Sequence, residues 1–399
     1  MKVYFVSLGC PKNLTDTEVL MGKLAASGHT IVNNPAAAEM IVVNTCAFLK
    51  SARAEAFKVI REMARWKKKG KCRKLYVAGC LPKTRYALRI TRYADGIIDS
   101  IGLFDYCTPR IKATPPWYAY VKIAEGCDNC CSYCLIPKIR GKLRTRKMSD
   151  VLQEVRGLVK RGVKEIIYVA QDTTAYPHFD KLLKATAKIS GLRWIRIMYA
   201  HPEHLTDKLL KVIAAEKKIV KYLDLPIQHA NDRILRRMNR RYNKEKLIRL
   251  IIKLRTRIPA LTLRTTLIVG FPGEGEKEFR ELVDFVRWAR FDRLGVFPYF
   301  REAGTPANHL SGQVPDRVKR IRATAIMRLQ ARIAREKNQA LVGRTIEAVV
   351  EGKELGRSAA DAPEIDNKLK LINNSNKPGQ FIKARVIKAA AHDLLARPL

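Results

Sequence analysis

Short apolar runs alternate with helical stretches through most of this chain, and that alternation constrains its fold more than any other feature. Strand–helix–strand order implies parallel sheets covered by helices. Runs at residues 3–8, 40–44 and 75–78 are followed by helical patterns at 14–26, 51–66 and 83–90. After a linker at Thr114-Pro115-Pro116, six further runs cover 118–124, 166–169, 194–198, 222–225, 261–269 and 293–297. Six such units fall short of the eight that close a TIM barrel. In parallel sheets ligands bind beyond the carboxyl ends of the strands, so the residues just after each run are the site candidates.

Cysteines fall at four of those positions. Cys127, Cys131 and Cys134 share one loop as Cys-x₃-Cys-x₂-Cys. Three thiolates on a short loop can hold three irons of a 4Fe–4S cluster and leave the fourth iron free for a substrate. A zinc knuckle would need a fourth ligand close by, and the next histidine is His178. Plain structural thiols also stay open here, and Cys130 offers the alternative register Cys-x₂-Cys-x₃-Cys. Cys10, Cys46 and Cys80 each follow one of the first three runs. Equivalent ends of parallel strands can converge, which would give a second cluster with one open iron. The alternative for these three is burial as small hydrophobes. Cys72 and Cys107 lack that placement and read as structural or incidental. Gln171 and Asp172 follow another run, and Gly270 and Gly273 would allow a ligand close to the backbone.

A long helical pattern at 316–341 precedes a change of texture. Strand signals at 344–351, 368–371 and 381–388, punctuated by Gly and Asn, point to a small β-barrel. The expected division is therefore 1–113, a parallel α/β domain; 114–340, a partial (βα)₆ barrel; and 341–399, the small β-barrel.

No window reaches the ~18 apolar residues of a membrane span. The apolar run before Cys10 is too short for an export signal. Nine cysteines, several of them clustered, then fit metal ligation in a reducing cytoplasm. The formal charge of +40 implies attraction to polyanions, nucleic acid above all, or else solvated basic faces such as 65–71. Residues 341–399 contribute little of it, with ten Lys and Arg against seven Asp and Glu.

The Cys-x₃-Cys-x₂-Cys loop, with Tyr133 before its last cysteine, resembles the radical-SAM signature. With the second cysteine set, nearly the whole chain resembles a radical-SAM methylthiotransferase. That resemblance implies a 4Fe–4S cluster on Cys127, Cys131 and Cys134 that cleaves S-adenosylmethionine, and an auxiliary 4Fe–4S cluster on Cys10, Cys46 and Cys80. It further implies a C-terminal TRAM barrel, an external electron donor, and S-adenosylmethionine contacts at Tyr133, Gln171, Asp172 and Gly270. The segments 7–13, 171–176, 198–202, 361–366 and 392–394 are similar to the RimO branch, which modifies an aspartate β-carbon of ribosomal protein S-twelve. The other branch modifies an adenosine in tRNA and usually carries Gln-Met where this chain has Pro11-Lys12. The 361–366 run and the nearly balanced barrel suggest a protein partner, with ribosomal RNA contacts through the basic remainder. Two rivals stand beside this reading: a tRNA methylthiotransferase, favoured by charge, and a non-catalytic RNA-binding factor with clusters as staples. The chain departs from the family pattern at Cys130 and in 300–303, where a Ser-rich, more acidic tract is usual.

Overall fold

The computed structural model describes all residues, 1–399. The first sheet comprises β1 (Lys2–Ser7), β2 (Thr30–Val32), β3 (Met40–Thr45), β4 (Lys74–Gly79) and β5 (Gly96–Ile98), in the order β2-β1-β3-β4-β5. All its neighbours are parallel. The sequence pattern misses β2 and β5 because each is a three-residue edge strand. The central strand β3 is buried at every residue, which accounts for its unbroken apolar pattern. Helix α1 (Pro11–Ala26) starts at Pro11, whose fixed φ suits a first helical position, and Cys10 is its N-cap. Helix α2 (Lys50–Ala64) follows β3.

The helix expected at 83–90 does not form as such. A 3₁₀ turn at Leu81–Lys83 and one helical turn at Ala87–Ile90 replace it. Thr84 explains the break: its hydroxyl donates to Leu81 O and accepts from Tyr86 N, competing with the helical ladder.

The second sheet is an open, six-stranded parallel array. Its strands are β6 (Tyr118–Lys122), β9 (Glu165–Val169), β10 (Trp194–Ile197), β11 (Ile219–Asp224), β12 (Thr262–Val269) and β13 (Arg293–Pro298). A small ribbon, β7 (Ala124–Glu125) with β8 (Arg144–Thr145), brackets the three-cysteine loop. Helices bury the outer face in the largest apolar core of the molecule.

The C-terminal strands β14 (Thr345–Gly352), β15 (Leu355–Ser358), β16 (Lys368–Leu371), β17 (Phe381–Ala389) and β18 (Asp393–Pro398) close into a barrel in the order β14-β15-β16-β18-β17. The sequence pattern misses β15 and β18. In β15, Gly356 lies tightly against Leu371, and in β18 Asp393, Arg397 and Pro398 break the apolar signal. The barrel seals the amino ends of the open array. Tyr118, Glu165, Trp194 and Arg293 are the first residues of β6, β9, β10 and β13. They meet Glu364, Arg357, Glu347 and Asp361 at 3.4, 2.6, 3.0 and 2.6 Å.

That seam corrects the reading of 361–366 as a partner-facing run. Asp361 is buried against Arg293 and the Ser358 hydroxyl. Asp366 accepts from Tyr222, Arg264 and Ala362 N. These carboxylates latch the barrel onto the sheet and are spent there.

Candidate functional site

All six site cysteines lie beyond the carboxyl ends of strands. Cys10 follows β1, Cys46 follows β3 and Cys80 follows β4. Two glycines permit their approach. Gly9 has φ +93°, and a Cβ there would strike the Cβ and Sγ of Cys46. Gly79 has φ +86°, and its Cβ would strike Asn44 and the Thr45 backbone. L-residues avoid such angles, so both turns favour glycine on two grounds. Asn44 and Asn13 knit the same corner: Asn44 Nδ2 donates to Asn13 O at 2.9 Å, and Asn13 Nδ2 donates to Leu8 O at 2.6 Å.

The loop 127–134 runs back into a short helix, Ile136–Arg140. Arg140 joins the two cysteine sets. Its Nη2 donates to Cys80 Sγ at 3.3 Å, while Nη1 reaches Asp16 at 3.1 Å and Glu125 at 3.0 Å. Lys122 pairs with the same Asp16, and with Glu125 at 2.7 Å. All four charged groups are buried. Such a knot holds only while each charge keeps its partners, because an unpaired buried charge is expensive. Gln171 adds its Nε2 to Glu125 at 2.8 Å. Lys12 crosses the same boundary, with Nζ 3.2 Å from the centroid of the Tyr199 ring.

Beside the loop lies a cavity of about 590 Å³, lined by Cys127, Cys131, Asp172, His201, His204 and Arg240 among others. Asp172 organises one wall, accepting from Asn129 at 2.8 Å and from the Thr174 hydroxyl at 2.9 Å, and meeting His204 at 2.7 Å. His201 faces Arg240, whose Nη1 donates to its Nε2 at 2.7 Å. Asp172, His201 and His204 converge closely enough to suggest a cation site. The guanidinium on His201 argues against one, and the three form a hydrogen-bonded wall instead. Burial and Arg240 together push the His201 imidazole down to about pKa 3, so the ring is neutral.

The structure separates the four residues expected to touch S-adenosylmethionine. Asp172 lines the cavity, and Gln171 sits beside it on Glu125. Tyr133 packs edge-on to Phe271, 6.3 Å between centroids, in a separate apolar cluster. The space beside Gly270 is filled by the Lys319 stem, and that beside Gly273 by Arg237. At both glycines the space a Cβ would take is used by a side chain of this chain. Sequence reasoning missed Arg140 and Arg240. The one available signal for Arg140 was an arginine closing a short apolar stretch, Leu135-Ile-Pro-Lys-Ile-Arg140, directly after the cysteines.

The site suits sulfur-ligated metal and a polar cofactor. Burial raises the thiols of Cys46, Cys80, Cys127 and Cys134, Cys80 to about 11 and Cys134 to about 12. Gln171 Oε1, Gln228 Oε1 and Arg240 Nε are buried without partners. Native interiors rarely leave such atoms unpaired, so they fit a missing polar group at this mouth. Tyr199 and Gln228, at φ 61° and 67°, hold the strained backbone often found at functional mouths.

An open parallel array with this loop at its mouth, flanked by an α/β domain and a closed barrel, defines a radical-SAM enzyme. Three family descriptions match: the Radical SAM superfamily at 121–286, Uncharacterized protein family UPF0004 at 2–97 and the TRAM domain at 342–399. A ribosomal protein uS12 methylthiotransferase RimO from Pelotomaculum thermopropionicum is 44% identical, covering 99% of this chain and 98% of the relative. A RimO from Anaeromyxobacter sp. (strain K) is 43% identical, covering 99% and 93%. Among solved structures, the radical S-adenosylmethionine methyltransferase TsrM from Kitasatospora setae has the same fold at TM-score 0.57 and 12% identity. It covers 77% of this chain and 73% of its own. The chain belongs to the RimO family of radical-SAM methylthiotransferases. Membership carries a 4Fe–4S cluster and S-adenosylmethionine as cofactors. No helix is long and apolar enough to cross a membrane.

Proposed function

We propose that this enzyme adds a methylthio group to the β-carbon of an aspartate in ribosomal protein uS12, the S-twelve of the small subunit. Cys127, Cys131 and Cys134 hold the radical-SAM cluster, Cys10, Cys46 and Cys80 hold a second one, and both open irons face a shared mouth. The observation that carries this is Arg140. It stands on the helix after one cysteine set and bonds a sulfur of the other, so both sets serve one space.

An aspartate β-carbon has no acidity that a side-chain base can use near neutral pH. When bound, the clusters and S-adenosylmethionine supply one-electron chemistry and a transferable methylthio group that avoid this limit. The chain itself positions and shields. The buried knot fixes the two cysteine-bearing domains against each other, the Asp172 wall steadies the loop through Asn129, and the β-barrel closes the far end of the array to water. The domains 1–113, 114–340 and 341–399 divide these tasks as auxiliary-cluster, radical-SAM and substrate-binding units.

Ribosomal RNA contacts in the cytoplasm belong to the same reading. Arg317, Arg320, Arg328, Arg332 and Arg335 are exposed along the helix Asp316–Gln339, while its acids Asp316 and Glu336 are committed to Lys319 and Arg290. Unpaired arginines suit phosphate. The testing assay offers uS12 and tRNA together to enzyme, S-adenosylmethionine and a low-potential electron donor. Mass spectrometry should find one sulfur and one methylene added to a uS12 aspartate. A methylthio mark on tRNA alone would reverse the assignment.

A further inference from the structure

Two of the six site sulfurs receive a hydrogen bond from a buried arginine: Cys80 from Arg140 at 3.3 Å and Cys131 from Arg240 at 3.5 Å. The guanidiniums live in different surroundings. Arg140 belongs to a knot with Lys122 in which Asp16 and Glu125 balance both cations. Arg240 has only neutral partners: His201 Nε2 at 2.7 Å, Pro226 O at 2.6 Å and the Tyr242 ring at 5.2 Å. Its Nε is buried with no partner, and no carboxylate pairs with it. A buried, uncompensated cation is costly unless something anionic completes the site. The group it faces is the Cys131 sulfur.

We propose that Arg240 sets the reduction potential of the radical-SAM cluster, raising it through its charge and its N–H on Cys131. The proposal rests on Cys127, Cys131 and Cys134 as the ligands. Reduction adds one electron from an external donor to the cluster, so a nearby positive charge favours the reduced form. Hydrogen bonds to cluster sulfurs act in the same direction. In the low dielectric around a buried group the effect is larger than a surface charge would give. Arg240 is thus a positioning residue, and it accounts for a buried cation with no acid beside it.

The test uses full-length protein carrying Cys10→Ala, Cys46→Ala and Cys80→Ala, so that only the loop cluster is present. Dithionite–mediator titration followed by EPR reads its midpoint. In Arg240→Gln the ratio of reduced to oxidised cluster at fixed potential should fall at least tenfold, about 59 mV for a one-electron couple. Arg240→Lys, which keeps the charge, should stay close to the parent, and so should Arg140→Gln, whose guanidinium serves the other set. An unshifted Arg240→Gln, or an equal shift in Arg140→Gln, would overturn the proposal. A measurement without an Arg240 substitution covers the case in which Arg240→Gln loses iron. Protein labelled with ¹⁵N-arginine should show a ¹⁵N coupling to the reduced loop cluster by ENDOR, and absence of that coupling overturns the proposal. If the triple-alanine parent holds no cluster, the ligand reading itself fails and takes the proposal with it.

Discussion

The sulfurs of Cys127, Cys131 and Cys134 are placed by one loop, whereas those of Cys10, Cys46 and Cys80 are placed by a sheet. The loop set depends on local turns and the short β7–β8 ribbon around it. The sheet set depends on the register of β1, β3 and β4 and on two left-handed glycines that bring the strand ends together. A loop can keep its ligand spacing while the rest of the molecule shifts. A sheet-built set is lost as a whole when one strand end is displaced. The comparison also separates two ways of using arginine, a balanced one at Cys80 and an unbalanced one at Cys131.

The largest effect should come from breaking the loop set at its centre. Cys131→Ser is expected to remove the radical-SAM cluster and abolish turnover, leaving about half the iron, because ligation is local. Iron analysis with Mössbauer spectroscopy would show it, and an intact cluster complement would count against the register. Next comes Gly9→Ala, which forces a Cβ onto Cys46 at an angle alanine avoids. It should cost the sheet-built cluster and spare the loop cluster, read as half the iron with the loop signal intact by EPR.

Asp16→Asn tests the knot between the sets. It leaves Lys122 and Arg140 short of a carboxylate in a buried site, and such breaks cost about 3–5 kcal/mol. A lowered unfolding temperature is the readout, and unchanged melting would mean the knot does not brace the boundary. A smaller effect concerns pH. Burial raises the Cys80 thiol to about 11 and Cys134 to about 12, so these two sulfurs, one in each set, are protonated before loading. Iron must displace those protons, so uptake by the apoprotein should quicken as pH rises from neutral, followed by charge-transfer absorbance. Uptake indifferent to pH would contradict this. The smallest effect is expected at Cys130, whose exposed sulfur donates one hydrogen bond, to Asp128 O at 3.5 Å. Cys130→Ser should keep both clusters and most activity in the same iron and turnover assays.

What was legible in the sequence follows from how local each feature is. The loop cysteines are a spacing, and a spacing survives in one dimension. The sheet cysteines were legible because each follows an apolar run that a parallel sheet must align. Strands β2 and β5 were not, being too short to show a period, and β18 was masked by its own charges. Arg140 and Arg240 were hidden by number: they are two of 77 lysines and arginines, several of which turn inward elsewhere in the molecule. The same blindness led Asp361 and Asp366 to be read as partner-facing, since an acidic run looks alike whether it meets solvent or a buried arginine.

The latch at the barrel seam limits how this family can be recombined. Asp361 needs Arg293, and Asp366 needs Arg264 and Tyr222, all on the neighbouring sheet. A C-terminal barrel grafted without acids at these two positions would leave Arg293 short of its carboxylate and Arg264 with Asp224 alone. The transplantable cassette is therefore the barrel together with Tyr222, Arg264 and Arg293, and a chimera cut at the barrel's first residue should fold poorly before its specificity can be assayed.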